Sequence, residues 1–500
     1  MLLQKGRASM QPQGRVDYDV VIVGAGISGI TFAYRLQERN PKLSYCILER
    51  RDELGGTWSF FKYPGLRSDS DMHTFGFPWA AWTGPKPLAD GSAIAEYMRQ
   101  AVVDKGIDQR IKVRHKVEQL SWSSKRTCWT IDAIVNDTDH VTLSSRFVLL
   151  ATGYFDYEQP LRAHVPGIEQ FRGNVVHPQF WPEDLSVKEK NVAIIGSGAT
   201  AITLLPALAR EAKHTTIVQR SPSYILSIPV EDQFERTMRA HLPVALASRL
   251  IRLKWIMFPI MFRKLCLWFP NAARRFMRKT TMAELGTGES LDPHFNPRYN
   301  PFEQRMCMCP DGDFYQCLRD GRGSIKTGSI DEVTQTSIKL NSGEELRPDI
   351  IVTATGLQLR LGGGIKMLVD GTLVHIPDKH VWRGLMLEDI PNLTFSFGYL
   401  DAAWTLGVDI SAQMTCRLLK QMEIDNVAAI VPEMNGKDKC KVSEIRFMPL
   451  KSTYVEKGLS ALPKLADRSQ WRQRSTYLWE VLALRFADIR TDLRWIKVCN

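Results

Sequence analysis

Two stretches of this chain run from a buried strand through a glycine-rich loop into a helix, and a chain that carries such a unit twice has few folds open to it. Tyr18 to Val23 is a β-branched run that feeds into Gly24-Ala-Gly26-Ile-Ser-Gly29 and a helical pattern through Leu36. Asn191 to Ile195 opens in the same way into Gly196-Ser-Gly198-Ala199-Thr200-Ala201, with a helix expected from Ala201 to Arg210. A short continuous apolar run ahead of such a loop suits a parallel strand covered on both faces. Gly24 allows the tight turn, Gly26 lets a pyrophosphate approach the backbone, and Gly29 lets helix and strand pack closely, with the helix N-terminus facing the phosphate charge. The expected fold is therefore α/β with two Rossmann-like dinucleotide-binding domains.

The residue that ends the strand after each loop indicates which dinucleotide is held. Glu49 stands twenty residues beyond Gly29, just after the strand Tyr45 to Leu48, where an acid hydrogen-bonds the adenosine ribose hydroxyls. In the second unit the strand Thr215 to Val218 ends at Gln219-Arg220-Ser221. A guanidinium there suits the 2′-phosphate of NADP through charged hydrogen bonds, whereas an acid would suit NAD.

Composition narrows the function classes. The chain has 500 residues, 44% hydrophobic and 24% charged, enough for two or three domains of an ordinary globular enzyme. The net charge of +11 comes without a like-charged tail, since Lys and Arg occur along the whole chain, and no nucleic-acid partner is expected. The nine cysteines include no Cys-x-x-Cys pair, so neither a metal site nor a redox disulfide is supported. Cys307 and Cys309 read as apolar strand positions, and a reducing, cytoplasmic setting fits. Residues 1–16 lack the apolar core of a signal peptide and read as a flexible leader.

Just upstream of the second loop lies Phe171-Arg-Gly173-Asn-Val-Val-His177-Pro-Gln-Phe-Trp181-Pro182. With Phe171, Gly173, His177, Trp181 and Pro182 in place, it resembles the fingerprint of Baeyer-Villiger monooxygenases, the ketone-oxidising branch of class B flavin monooxygenases. Relatives that oxygenate nitrogen or sulfur usually carry Tyr or Phe where this chain has Trp181. Gly55-Gly56-Thr57-Trp58 and Tyr63-Pro64-Gly65 resemble the family's second FAD-contacting segment, and Ala151-Thr152-Gly153 and the Ala-Thr-Gly ending at Gly356 resemble its strand-end signatures. The likeness runs from Tyr18 to about Leu419 and favours the ethionamide-activating and long-chain-ketone branch, in HPQFWPED, GSGATA, QRSPSY and RYNPFEQR. It implies that Gly56, Thr57 and Trp58 join Gly24, Gly26, Gly29 and Glu49 in holding FAD, with Asp69 beside the flavin ring. It also implies that Gly196, Gly198, Ala199, Thr200, Ala201, Arg220 and Ser221 hold NADPH. Gln304 stands where several relatives have lysine, which leaves Arg220 as the 2′-phosphate ligand.

On that resemblance the FAD domain comprises residues 17–155 and 357–500, and the NADPH domain residues 156–230 and 300–356. A helical insertion, residues 231–299, covers the active site. Residues 242–281 alternate apolar and basic residues, too short an apolar run to cross a bilayer but compatible with peripheral membrane contact or with roofing an apolar pocket. The activity implied is Baeyer-Villiger oxidation, in which NADPH reduces FAD, O2 adds as a C4a-peroxyflavin, and an apolar ketone becomes an ester or lactone. Arg305 is the expected catalytic cation, oriented by Asp69, with Arg298 as rival. His177 and Trp181 are expected to couple domain movement. N- or S-oxygenation on the same scaffold and a non-oxygenating NADPH flavin reductase remain alternatives.

Overall fold

The two β-branched runs become the centres of two separate sheets. The computed structural model describes residues 16–286, 290–399, 402–434, 439, 442–448, 450–474 and 476–498. All of the expected leader but Val16 lies outside the described residues, as do Leu400 and Asp401 of the segment expected to return to the first domain.

In chain order the first strands are β1 (Tyr18–Val23), β2 (Tyr45–Leu48), β3 (Ile111–Lys112), β4 (His115–Ser123), β5 (Cys128–Val135) and β6 (Asp139–Leu150). Then come β7 (Asn174–Val176), β8 (Asn191–Ile195), β9 (His214–Gln219), β10 (Ile225–Ile228), β11 (Cys307–Pro310), β12 (Gly323–Thr327) and β13 (Ile350–Thr353). Last among those that matter here are β14 (Lys366–Val369), β15 (Thr372–Leu373) and β16 (Leu393–Phe395). The first sheet runs β15-β14-β4-β5-β6-β1-β2-β3, with β16 also paired to β6. In it β1 lies parallel between β2 and β6, Val21 facing Cys46 and Val148, while β4 to β6 form an antiparallel meander. The second sheet, β12-β9-β8-β13-β7, is parallel throughout. Val20, Val21 and Ile22 at the centre of one sheet and Ile194 at the centre of the other are fully buried, as strands covered by helices on both faces must be.

The helices that matter are α1 (Ile27–Arg39), α2 (Ala199–Leu208), α3 (Gln233–His241), α4 (Val244–Trp268), α5 (Pro270–Leu285), α6 (Trp404–Ile424) and α7 (Tyr477–Phe486). The second-unit helix starts two residues before the expected Ala201, because Gly198 is its N-cap. The C-terminal part rejoins the first sheet through α6, whose Asp409 Oδ1 accepts from Arg35 Nε of α1 at 2.7 Å with both side chains buried. Residues near Thr453 also touch the second unit: Arg220 Nη2 donates to Thr453 Oγ1 at 3.2 Å, and Lys451 pairs with Glu303 at 3.8 Å.

Between β10 and β11 the chain builds α3 to α5, which fold back onto the first unit. Asp232 caps α3, its Oδ1 accepting from the Phe234 and Glu235 amides. Glu235 then meets the helical turn Met72–Phe75, with His73 Nε2 2.9 Å from its Oε2, and Trp255 Nε1 of α4 donates to its Oε1 at 2.7 Å. Burial alone would raise the Glu235 carboxyl, but these contacts outweigh it and hold the group below the ordinary carboxylate range.

Candidate active site

The first glycine loop closes on its own strand. Gly24 has φ +107°, and a Cβ there would lie 2.6 Å from the Ala151 carbonyl oxygen; one on Gly29 would lie 1.9 Å from that of Gly24. Gly26 meets Gly56 instead, so that a Cβ on Gly56 would fall 2.9 Å from the Gly26 Cα. Two backbones therefore touch where α1 begins, and no side chain caps its free amides. Such amides favour an anionic ligand. Glu49, 5% exposed, follows β2; its Oε2 accepts from the Ala25 amide at 2.8 Å and its Oε1 from the Arg51 amide at 3.1 Å. Arg51 in turn donates to the Gly56 carbonyl and to Ser59 Oγ, both at 2.9 Å. Thr57 Oγ1 is 3.0 Å from the Tyr157 hydroxyl, and Trp58 packs edge-on to Phe75 at 5.5 Å.

The second unit faces this one across a cleft of about 400 Å³, lined by Gly24, Gly26, Glu49, Gly56, Thr57 and Trp58 on one side and by His177, Ala199 and Thr200 on the other. Gly196 has φ +144°, and its Cβ would lie 2.2 Å from the Ala354 carbonyl oxygen, whereas nothing lies within 4 Å of a Cβ on Gly198. Ala201 is buried in the helix–sheet contact, and Arg220 and Ser221 stand exposed just after β9. The units are held face to face by Gly65, which packs against Ala207 of α2, and by Arg67, whose Nη2 donates to Asp313 Oδ1 at 3.2 Å.

The aromatic stretch between the units is divided among three tasks. Gly173 lets the chain pass the Asp349 carbonyl, which a Cβ would approach to 2.4 Å, and Phe171 packs under the second sheet. Trp181 packs against the core beside α2, and Pro182 is exposed. His177 alone of the five lines the cleft. Its Nδ1 accepts from the Gln179 amide at 3.2 Å, and burial lowers its pKa, favouring neutral imidazole. Gln179 Oε1 is buried with no hydrogen-bond partner among the described residues. Buried polar atoms are almost always satisfied, so this one fits a cleft built to hold a polar ligand. Gln179 is one of the variable positions within the fingerprint stretch, and Arg51 lies two residues beyond Glu49, so no motif position marks either.

A second chamber, about 960 Å³, lies under α4 and is walled by Ile256, Phe262, Phe302, Leu406 and Leu465 among others. Asp69, Arg305, Met308 and Tyr399 line both spaces. Arg305 Nη1 is 3.7 Å from Asp69 Oδ2, with each side chain about 40% exposed. That is an ion pair without a hydrogen bond, so Asp69 acts on Arg305 through its field and leaves the guanidinium donors free. The guanidinium pKa is raised, through Tyr154 first and Asp69 after it; because burial pushes the Tyr154 phenol up as well, the charged partner is Asp69. Arg298 is exposed and lines neither space. Cys307 and Cys309 are buried on β11, and burial pushes the Cys307 thiol up to about 12, which keeps it inert.

Comparison with known proteins places this geometry. Residues 21–248 match the pyridine nucleotide-disulphide oxidoreductase family model. The FAD-containing monooxygenase EthA of Mycobacterium tuberculosis (strain ATCC 25618 / H37Rv) is 42% identical over 484 residues, 96% of this chain and 98% of that one. The probable FAD-binding monooxygenase AlmA of Acinetobacter baylyi is 39% identical over 471 residues, 94% of each chain. Among solved structures, an oxidized steroid monooxygenase bound to NADP superposes with TM-score 0.73 at 18% identity, covering 96% of this chain and all of that one. Cyclohexanone monooxygenase from Rhodococcus sp. Phi1 bound to NADP+ gives 0.71 at 18%, covering 96% and 99%. With two glycine-loop units around one cleft and relatives matched over almost its whole length, this chain belongs to the FAD-containing monooxygenases and has the fold of the Baeyer-Villiger enzymes.

Proposed function

We propose that the enzyme consumes NADPH and inserts one atom of O2 beside the carbonyl of an apolar ketone, giving an ester or lactone. The observation that carries this is the position of Arg305: a guanidinium beside Asp69, at the point where the cofactor-sized cleft opens into a large apolar chamber. Bound FAD, reduced by NADPH, supplies the activation of O2. The free amides of α1, with Gly24, Gly26, Gly56 and Thr57, hold the FAD diphosphate, Glu49 its ribose, and Trp58 packs near its ring. Gly196, Gly198, Ala199, Thr200 and Ala201 hold the NADPH diphosphate, and Arg220 and Ser221 its 2′-phosphate. The first sheet with the C-terminal part is then the FAD domain, and the second sheet the NADPH domain.

Attack on a ketone places negative charge on the carbonyl oxygen, and a preorganised cation beside it lowers that barrier at no cost of reorganisation. Arg305 keeps its donors free for this oxygen because Asp69 stands beyond hydrogen-bond distance. Ile256, Phe262, Phe302 and Leu406 give the chamber apolar walls, and its volume of about 960 Å³ admits a large substrate. Gln179 offers its unpartnered oxygen to the bound cofactors, and His177 lines the same cleft. The test is product analysis with a panel of apolar ketones and sulfides, measured beside NADPH and O2 consumption. Ester formation is expected; turnover of sulfides or amines with no ketone converted would refute the proposal.

A further inference from the structure

Lys and Arg occur along the whole chain, but acid does not. From Arg236 to Ala283 there are eleven Lys and Arg and no Asp or Glu, which leaves 54 basic against 54 acidic residues in the rest of the sequence. The net charge of the protein therefore equals the charge of this one segment, which lies within α3 to α5.

On α4 a second pattern runs through the basic residues. Leu246, Leu253, Met257, Met261, Leu265 and Trp268 are between 39 and 67% exposed. They follow one another at seven, four, four, four and three residues, one stripe down a helix about 37 Å long. Exposed Arg249 lies within the stripe and exposed Lys264 beside it. Phe262 meets Phe276 edge-on at 6.2 Å, which joins α5 to α4, and α5 adds the exposed Arg275, Arg278 and Lys279 around Phe276 and Met282. The other side of α4, with Ile256 and Phe262 beside Lys254 and Arg263, walls the chamber, and Lys264 borders it. This helix therefore brings apolar residues to the chamber and an apolar stripe to the outside.

A contiguous apolar surface of this kind marks a contact site. A second copy of the chain is a poor occupant, since a two-fold interface would set one excess of positive charge against another. An anionic bilayer answers both features, with acyl chains for the stripe and headgroup charge for the rim, and terminal Trp268 and Phe269 suit its interface. Among the described residues no helix is long and apolar enough to cross a membrane, so α4 would lie in the surface. We infer that α4 and α5 form the face on which the enzyme docks to an anionic lipid bilayer. The apolar substrate then reaches the chamber past α4 from the lipid; that step rests on the oxygenation proposal, while the docking does not.

The test is co-sedimentation of the FAD-loaded enzyme with vesicles of phosphatidylcholine alone and with vesicles that also contain phosphatidylglycerol. Binding is expected on the anionic vesicles, with release at about 1 M salt, where the Debye length falls to about 3 Å. A basic side chain at an anionic surface contributes about fivefold in binding, so the combined variant Arg249→Glu, Arg275→Glu, Lys279→Glu should bind at least about a hundredfold more weakly. Its flavin content and its lipid-free reduction by NADPH should match the parent. Trp268→Ser should weaken binding about tenfold. Equal binding to both vesicle types, no binding, or parent-like binding by the triple variant overturns the inference. So does a dimer, seen by light scattering, that Trp268→Ser dissociates while vesicles leave the parent unbound. Sedimentation reads docking whatever the substrate proves to be.

Discussion

Gly198→Ala separates what the fold requires of a glycine from what a ligand requires. An ideal Cβ at Gly198 meets no protein atom within 4 Å, and its φ of −87° suits any residue. The free protein should therefore lose only the difference between glycine and alanine at an N-cap, about 1 kcal/mol or less, a fall in Tm of no more than about 4 °C. Gly29→Ala is the contrast. Its Cβ would sit 1.9 Å from the Gly24 carbonyl oxygen, where real Cβ atoms stay beyond 3.0 Å, so α1 must retreat by at least about 1 Å, overpacking that costs about 1–3 kcal/mol, and the FAD site goes with it. On the proposed assignment of Gly198 to the NADPH site, the methyl would stand where the diphosphate reaches the backbone. Loss of one hydrogen bond to that charged group is worth about 1.5–3 kcal/mol, or about a tenfold to hundredfold rise in half-saturating NADPH. Anaerobic stopped-flow reduction, read from the visible flavin absorbance, measures it, alongside FAD content and Tm. An unchanged NADPH dependence, or loss of FAD from Gly198→Ala, would refute the reasoning.

Arg305→Ala should keep FAD and NADPH binding, lose about a hundredfold to a thousandfold in ester formation and release hydrogen peroxide instead, with sulfide oxidation less affected; intact ketone turnover would remove Arg305 from the chemistry. Arg220→Ala should narrow the preference for NADPH over NADH by about tenfold to a hundredfold, and equal use of the two coenzymes by the parent would contradict the 2′-phosphate assignment. Glu388 is 2% exposed, with His380 Nδ1 3.0 Å from its Oε2 and Lys439 Nζ donating to its Oε1 at 2.7 Å. Burial alone would raise its pKa, yet these partners lower it from the ordinary 4.5 to about 2. A folded-state value below the unfolded one gives stability that is present above the unfolded pKa and lost as pH falls toward 2, about 3 kcal/mol in all. Glu388→Gln should therefore lower Tm at neutral pH and flatten its acid limb between about pH 4.5 and 2; parallel Tm–pH curves would show that Glu388 contributes nothing there.

Much of the cofactor cleft was legible along the chain because its signals are local. A glycine that must turn at positive φ, as Gly24 and Gly196 do, is visible wherever a β-branched run ends in a glycine loop, and Glu49 and Arg220 lie one strand further on. The motif gives Gly26 the role of making room for a ligand; it also faces Gly56 backbone to backbone, a contact between loops about thirty residues apart that no local pattern predicts. The same limit hides the bond of Gln179 to the Asp156 carbonyl and the reach of Thr453 to Arg220. The resemblance favours Arg305 over its rival Arg298 in the same irregular segment, and the placement of that segment puts Arg305 at the cleft and Arg298 outside both spaces.

By itself the sequence determined two dinucleotide units, the order of their parts and the family, because strand burial, glycine turns and strand-end charges are properties of short stretches. It also determined where the net charge resides. Only the tertiary structure decided that Asp69, Arg305 and Tyr399 meet where the cleft opens into the chamber, and that α4 walls that chamber with one side while offering the other to the outside. Those facts depend on how units separated by hundreds of residues pack on one another, and packing is set by the complementarity of whole surfaces, which no short stretch of chain contains.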